Sequence, residues 1–551
     1  MNEENGVLNQ QEQPTDENSE NGIEYAVDYR ACKRPLFDLT KSDMLFAIFS
    51  LAIGIFTAVF GIFGGFALGC TLSNVLIFLM FSIYLVKKKS LNIFSVICGV
   101  LSLANSAVFI TTANGSVRFF GVVLSCLLTV VCLGSVICEK TIGNRAVLRI
   151  FAVTLSTVGN IAISVKSLFS NGDGNRKSIG KALVGFICAV PVLLVVIPLL
   201  ISSDEAFSGM ISSIFSNTSS SLFKIIFGVF ISLFFISYGF SLKYKRFSNV
   251  KKSEFAGIEN IYIISFLSAI SFCYIFYLFS QLAYFFSAFK GFLPNGEITY
   301  AQYARKGFFE MCIIAVINLS MVFLSVLLAK KQNGKMCAGI KLTATFISVF
   351  TLIIIATAIS KMVLYIDAYG MTVLRVTTSA FMLFLAVVFT ATILKVYINK
   401  INVVKTALIT AGIVVLTLGI VNVNAVCAEY NYECYKNKKL ENIDIGALYD
   451  LGDEGIPYVV KLACGKDKEI AYTAQTYLAK AYMYDYFDNN GEKFTAEDLK
   501  EKQKNTAFSS FSIPKAKAYN QLYGFIEKNP KFCDFCYNYY FTDDIFENDW
   551  F

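Results

Sequence analysis

Between Asp43 and Asn422 the chain is a succession of long apolar runs separated by short loops rich in Lys and Arg. A run of about 20 apolar residues crosses the roughly 30 Å hydrocarbon core of a bilayer as an α-helix. The runs lack the period-2 alternation, in segments of about ten residues, that a membrane β-barrel requires. Backbone polar groups in lipid must pair inside their own segment. The pattern predicts an all-α fold, a polytopic transmembrane bundle. Its spans read as 43–63, 65–86, 91–110, 119–138, 182–202, 222–242, 260–285, 308–329, 338–360, 376–394 and 406–422.

The stretch 146–168 is apolar but carries Arg149, Asn160 and Lys166. The distribution of basic residues decides how to read it, because cytoplasmic loops carry the excess of Lys and Arg. With the N-terminal tail in the cytoplasm and 146–168 on the surface, 26 basic residues fall on the inner side and 7 on the outer. If 146–168 crosses the membrane, every later loop flips and the bias disappears. The expectation is therefore eleven spans and an interfacial helix over 146–168, with Arg149, Lys166 and Arg176 toward the headgroups. With the N-terminus in the cytoplasm by the charge bias, an odd count is expected to place the C-terminus outside it.

The flanks differ from the bundle. Residues 1–28 hold eight acids and no Lys or Arg, so 1–42 reads as a disordered acidic tail with a basic juxtamembrane end. The first apolar run follows a long polar leader, which predicts an uncleaved first span and no signal peptide. Residues 423–551 carry 15 Lys, no Arg and 21 acids, and read as a soluble helical region. Helical periodicity appears at 454–464, 467–487, 495–506 and 513–528, with Ala471, Ala474, Leu478, Ala481 and Tyr482 on one face of the second. Ser512-Ile-Pro514 reads as a helix start with a capping Ser.

Composition narrows the chemistry. The chain is 55% hydrophobic and has 52 Phe, one Trp and no His. Without His, nucleophilic Ser–His and Cys–His arrangements are excluded. Nine of the 15 cysteines lie in or beside spans, where Cys behaves as a small apolar residue. Cys533-x-x-Cys536 alone supplies two of the four ligands a zinc site needs. There is no phosphate-cradling glycine loop, and Gly61 and Gly64-Gly65 read as close packing or a tight turn. No catalytic residue, cofactor or metal is predicted. The basic loops carry no nucleic-acid motif. The expected partners are membrane lipids and an envelope protein bound through 423–551.

Charges near the membrane core suggest function by default. Asp204 and Glu205 follow the 182–202 span, Arg305 and Glu310 flank the start of 308–329, and Asp367 and Arg375 sit in the loop between 360 and 376. Arg305 and Glu310 are five residues apart, so neither faces the other on one helix. Arg305, Glu310, Asp367 and Arg375 are expected to converge at the outer end with Asp204 nearby, either locking helices together or binding a substrate. Asp367 lacks the second aspartate that an aspartyl protease needs.

Several stretches resemble a bacterial membrane-protein family known only as a domain of unknown function, number 4173, related to 4153. They are Pro191–Phe207; Thr299-Tyr300-Ala-Gln-Tyr303-Ala-Arg305-Lys-Gly307-Phe-Phe-Glu310 with Ile317-Asn318-Leu319; Ala368-Tyr369-Gly370-Met-Thr372-Val-Leu-Arg375; Ala428-Glu-Tyr430-Asn431 leading to Asp444 and Gly455-Ile-Pro457; and Ser510–Ala518. The resemblance implies fold and location and supplies no reaction. Three readings stay open. One is a non-enzymatic envelope scaffold, sensor or assembly factor. Another is a transporter or lipid flippase. The third is an envelope lipid-linked sugar transferase using Asp204 and Glu205.

Overall fold

The apolar runs become helices whose starts are set by Asn and Thr side chains. Asn92, Asn114, Thr372, Asn402 and Asn422 each accept a hydrogen bond from a backbone N–H of the helix they precede, satisfying donors that a helix leaves unpaired at its first turn. The computed structural model describes residues 36–85, 92–135, 150, 154–169, 196, 199–216, 219–244, 257–290, 308–330, 336–398, 400–440, 442–490, 495–504 and 506–541. Phe37–Phe551 form one compact unit. Among the described residues there is no strand, only an isolated parallel bridge between Ile258 and Ala329.

The bundle comprises α1 (Lys41–Phe56, running on as a π turn, Thr57–Ile62), α2 (Leu68–Leu85), α3 (Ile93–Asn105, then a turn at Val108–Thr111), α4 (Gly115–Gly134), α5 (Ile161–Phe169), α6 (Glu205–Ser216) and α7 (Ser219–Lys243). Then come α8 (Asn260–Lys290), α9 (Phe308–Leu328), α10 (Ala338–Tyr369), α11 (Val373–Tyr397) and α12 (Val403–Val421). Among the described residues ten helices are long and apolar enough to cross a membrane. They correspond to ten of the eleven expected spans. The eleventh, 182–202, lies almost wholly outside the described residues.

Helices α1 and α7 run antiparallel with small residues between them. A Cβ on Gly54 would stand 2.7 Å from Gly228 O, and one on Gly228 would stand 2.5 Å from Ile55 Cα. This close backbone approach is how membrane helices associate when apolar burial between helices gains nothing over lipid. Phe46, Phe81 and Phe240 fill the space beside it. In the second half, Asn318 of α9 receives the Tyr274 hydroxyl of α8 at 2.5 Å and donates to Thr351 Oγ1 of α10 at 2.9 Å. One buried amide thus ties three helices together.

The described part of 146–168 is broken by a turn at Gly159–Asn160, and α5 has only nine residues. Its polar side faces the protein. Asn160 donates to Ser241 Oγ at 3.0 Å, Ser237 donates to Thr157 O at 2.6 Å, and Ser167 Oγ accepts from Phe37 N at 2.9 Å. All these partners lie at the end of the bundle that holds Thr40, the N-cap of α1. Lys166 is exposed, while Arg149 and Arg176 lie outside the described residues.

The C-terminal helices are α13 (Val423–Lys436), α14 (Ile445–Tyr449), α15 (Ile456–Ala463), α16 (Lys468–Asn490), α17 (Ala496–Lys504), α18 (Ile513–Lys528) and α19 (Lys531–Phe541). Their core gathers Leu448, Val459, Ala474, Leu478, Leu499, Leu522 and Ile526. Helices α15 to α18 follow the expected patterns closely. Helices α13, α14 and α19 have no counterpart among those patterns: α14 has only five residues, and aromatic and Cys residues obscure the period of the other two. Ser512 stands at the N-cap of α18, but its side chain makes no capping bond there; the early Pro accounts for the start.

Candidate functional site at the joint between bundle and C-terminal helices

The end of the bundle opposite Thr40 is where the C-terminal helices dock, and the polar side chains concentrate there. Helix α10 ends at Gly370, whose φ of 78° is left-handed and favours glycine. A Cβ at that position would stand 2.6 Å from Asn431 Oδ1. Asn431, on α13, accepts from Met371 N at 2.7 Å and donates to Met371 O at 2.8 Å. It mimics a pairing strand and clamps the α10–α11 turn to α13.

Arg375 and Asp367 belong to the same joint. The Arg375 guanidinium stacks 4.0 Å over the Tyr365 ring and donates to Tyr369 O at 3.2 Å and to Gly370 O, neutralising carbonyls at the α10 C-terminus. Asp367 is exposed, and Tyr430 donates to it at 3.5 Å. Behind them, burial pushes the Cys427 thiol up to about 12, against the pull of Arg375, so it packs as an apolar group.

A second contact holds α15 to the bundle. Glu454 is 4% exposed. Its Oε1 accepts from Ala113 N at 2.6 Å and from the Thr112 hydroxyl at 3.2 Å, and its buried Oε2 meets no direct hydrogen-bond partner among the described residues. Burial pushes this carboxyl above the ordinary range. The Ala113 N–H, Glu454's own backbone N–H and the Thr112 hydroxyl act in the opposite direction, and Asp453 adds to the rise. Nearby, Asn114 donates to Asn424 Oδ1 at 2.8 Å, Asn424 donates to Leu451 O at 2.9 Å, and Asn422 donates to Thr111 O at 2.9 Å. Arg118 donates to Thr112 O, Gly65 O and Phe109 O at 2.7, 3.2 and 3.2 Å.

Among the described residues, the other charges singled out in the sequence make local contacts of their own. Asp204 Oδ1 accepts from Phe207 N at 2.8 Å, capping α6. Glu205 and Glu310 are exposed in the first turns of α6 and α9, where the helix dipole favours acids. Arg305 lies outside the described residues. Among the described residues no ion pair joins Asp204, Glu310, Asp367 and Arg375.

At the Thr40 end, Asp43 of α1 is fully buried and every lone-pair direction is used. Its Oδ1 takes Lys243 Nζ and the Tyr84 hydroxyl (2.7 Å), and its Oδ2 takes Thr40 N (2.7 Å), the Thr40 hydroxyl (2.8 Å) and the Tyr244 hydroxyl (2.7 Å). Sequence reasoning missed this knot, since Asp43 and Lys243 are 200 residues apart. The only available signal was an Asp three residues after a Thr.

A family profile described as a domain of unknown function, DUF4153, matches residues 76–462. The chain belongs to the DUF4153 family. The match runs through the bundle and past Asn431 and Glu454, so the joint lies inside the DUF4153 domain, whereas α16 to α19 lie beyond it. Two stretches of the family resemblance, 368–375 and 428–457, meet at the Gly370–Asn431 clamp. No curated protein and no solved structure matches the chain.

Proposed function

We propose that this protein is a non-enzymatic scaffold, sensor or assembly factor of the bacterial plasma membrane. In this reading the N-terminus is cytoplasmic, and 423–551 is presented outside as a platform for an envelope protein. The observation that carries it is the joint: Asn431, Gly370 and Glu454 fix the C-terminal helices on the bundle, and Arg375 closes the α10–α11 turn that Asn431 grips. A docked position of this kind suits a presented surface. The charge bias of 26 to 7 supports the orientation. Arg305, Glu310, Asp367 and Arg375, with Asp204 nearby, are read as a polar belt at this outer end.

The test uses the full-length chain in its native membrane, with a photo-crosslinking residue in place of Tyr472 or, separately, Lys480, both exposed on α16. The expected result is one and the same protein adduct from both positions, lost in Gly370→Val while the chain stays membrane-embedded. Two results would overturn the reading: no protein adduct from either position, or turnover of a lipid-linked substrate in nanodiscs that requires Asp204 and Glu205.

A further inference from the structure

The segment between α17 and α18 is inverted relative to a water-facing loop. Its small polar residues point inward: Ser509 is 6% exposed and Ser512 is 1% exposed. Its large apolar residues point outward: Phe508 is 70% exposed, Phe511 44% and Ile513 53%. Three large apolar side chains shed to water within six residues would cost free energy without any compensating contact.

The fold places this segment at the edge of the membrane. Leu68, the first residue of the α2 span, donates from its N–H to Phe511 O at 3.2 Å. A Cβ on Gly64 would stand 2.9 Å from Ser509 Cβ, and one on Gly65 would stand 3.6 Å from Ser510 Cβ. The turn beneath is itself apolar on its outer side, with Phe60, Phe63 and Phe66 exposed. The outward face of 508–513 is thus continuous with the lipid-facing surface at the end of α1 and the start of α2.

Charge agrees with position. The C-terminal region is acidic, yet no Asp or Glu occurs from 502 to 526, where Lys502, Lys504, Lys515 and Lys517 stand. Lysines flanking an apolar wedge suit phosphate headgroups, and an amphipathic element of this kind seats roughly 5–10 Å into the boundary between headgroups and acyl chains. We infer that Phe508, Phe511 and Ile513 form an interfacial anchor that inserts into the bilayer surrounding the bundle. The C-terminal helices are then held by lipid on this edge as well as by the polar joint. The inference holds for any partner that the rest of the region serves.

The test is fluorescence of full-length protein in vesicles of phosphatidylcholine and phosphatidylglycerol. Trp550, the one native Trp, is replaced by Phe, and Phe508→Trp supplies the probe. Tyr472→Trp, on α16 away from the bundle, is the water-exposed control. Brominated lipid should quench the indole of Phe508→Trp at least about twofold more than that of Tyr472→Trp, with blue-shifted emission, as for an aromatic at the headgroup level. Ile513→Trp repeats the measurement where Phe508→Trp alters the melting temperature. Equal quenching of the 508 or 513 probe and the 472 probe would overturn the anchor.

Discussion

Two buried carboxylates sit at opposite ends of one bundle, and they are built differently. Asp43 spends both oxygens on five donors, among them Lys243 and two tyrosine hydroxyls. Glu454 spends one oxygen on Ala113 and Thr112 and leaves the other buried with no hydrogen-bond partner among the described residues. A fully satisfied buried anion rigidifies, because no rearrangement improves it. A half-satisfied one gains from taking up a proton. The Asp43 end therefore acts as a permanent lock between α1, α2 and α7, whereas the Glu454 end is a joint whose strength follows conditions.

The sharpest way to break this contrast is Asp43→Ala. It leaves the Lys243 ammonium, whose side chain is 21% exposed, without its carboxylate, and removing one partner of such a pair costs about 3–5 kcal/mol when it is well buried. Thermal unfolding in detergent should report a larger loss than for any substitution at the joint. Lys243→Met added to Asp43→Ala should recover part of it. Additive losses in the double variant would mean that the two residues do not act as one unit.

Next in size is Gly370→Val. A side chain there meets Asn431 Oδ1 and must adopt a φ of 78°, a combination costing on the order of 1–3 kcal/mol. The loss should fall on the joint. Limited proteolysis between α13 and α14, at 437–443, should accelerate while the bundle's own unfolding changes little. Unchanged cleavage there would mean that the clamp does not hold the joint.

Helix identity was legible because lipid imposes it: apolar length alone located ten spans, eight of them to within four residues at both ends, while the span expected at 338–360 runs on to Tyr369 and the one expected at 260–285 ends at Phe279. The asymmetry between the ends was not legible. Asp43 and Lys243 read as two charges at span edges, and nothing local says that α1 and α7 pair antiparallel. The Gly370 and Asn431 stretches each stood out by resemblance, but their meeting depends on the direction α13 takes after Asn422, whose left-handed φ of 56° turns the chain. Asp367 and Arg375 were expected to pair between segments with other charges. Instead Arg375 takes up backbone carbonyls and an aromatic ring within its own hairpin, which satisfies a guanidinium without an acid.

Asn431→Ala tests the same clamp from the other side without backbone strain. Two hydrogen bonds to Met371 disappear, at about 1 kcal/mol net each. The accelerated cleavage seen for Gly370→Val should appear in milder form. If Asn431→Ala is silent while Gly370→Val is not, the glycine matters for its own conformation and the clamp is incidental.

Glu454→Gln should have the smallest effect at neutral pH and the most informative pH dependence. The folded carboxyl titrates above its ordinary value because burial disfavours the anion, so the folded state binds a proton more readily than the unfolded chain. Its contribution to stability is fully present below the unfolded value, near 4.3, and is lost as pH rises through the raised folded value. Arg118 and Asp453 face the same contact, so the comparison must be a difference between wild type and variant. The amide cannot ionise. The wild type should therefore gain stability relative to Glu454→Gln as pH falls from above the raised folded value toward the unfolded one. Protection of α13–α15 amides from hydrogen exchange, measured on both proteins across that range, would show the gain confined to the joint. A difference that grows with rising pH instead would mean the Glu454 anion is stabilised at the joint, and the contrast with Asp43 would collapse.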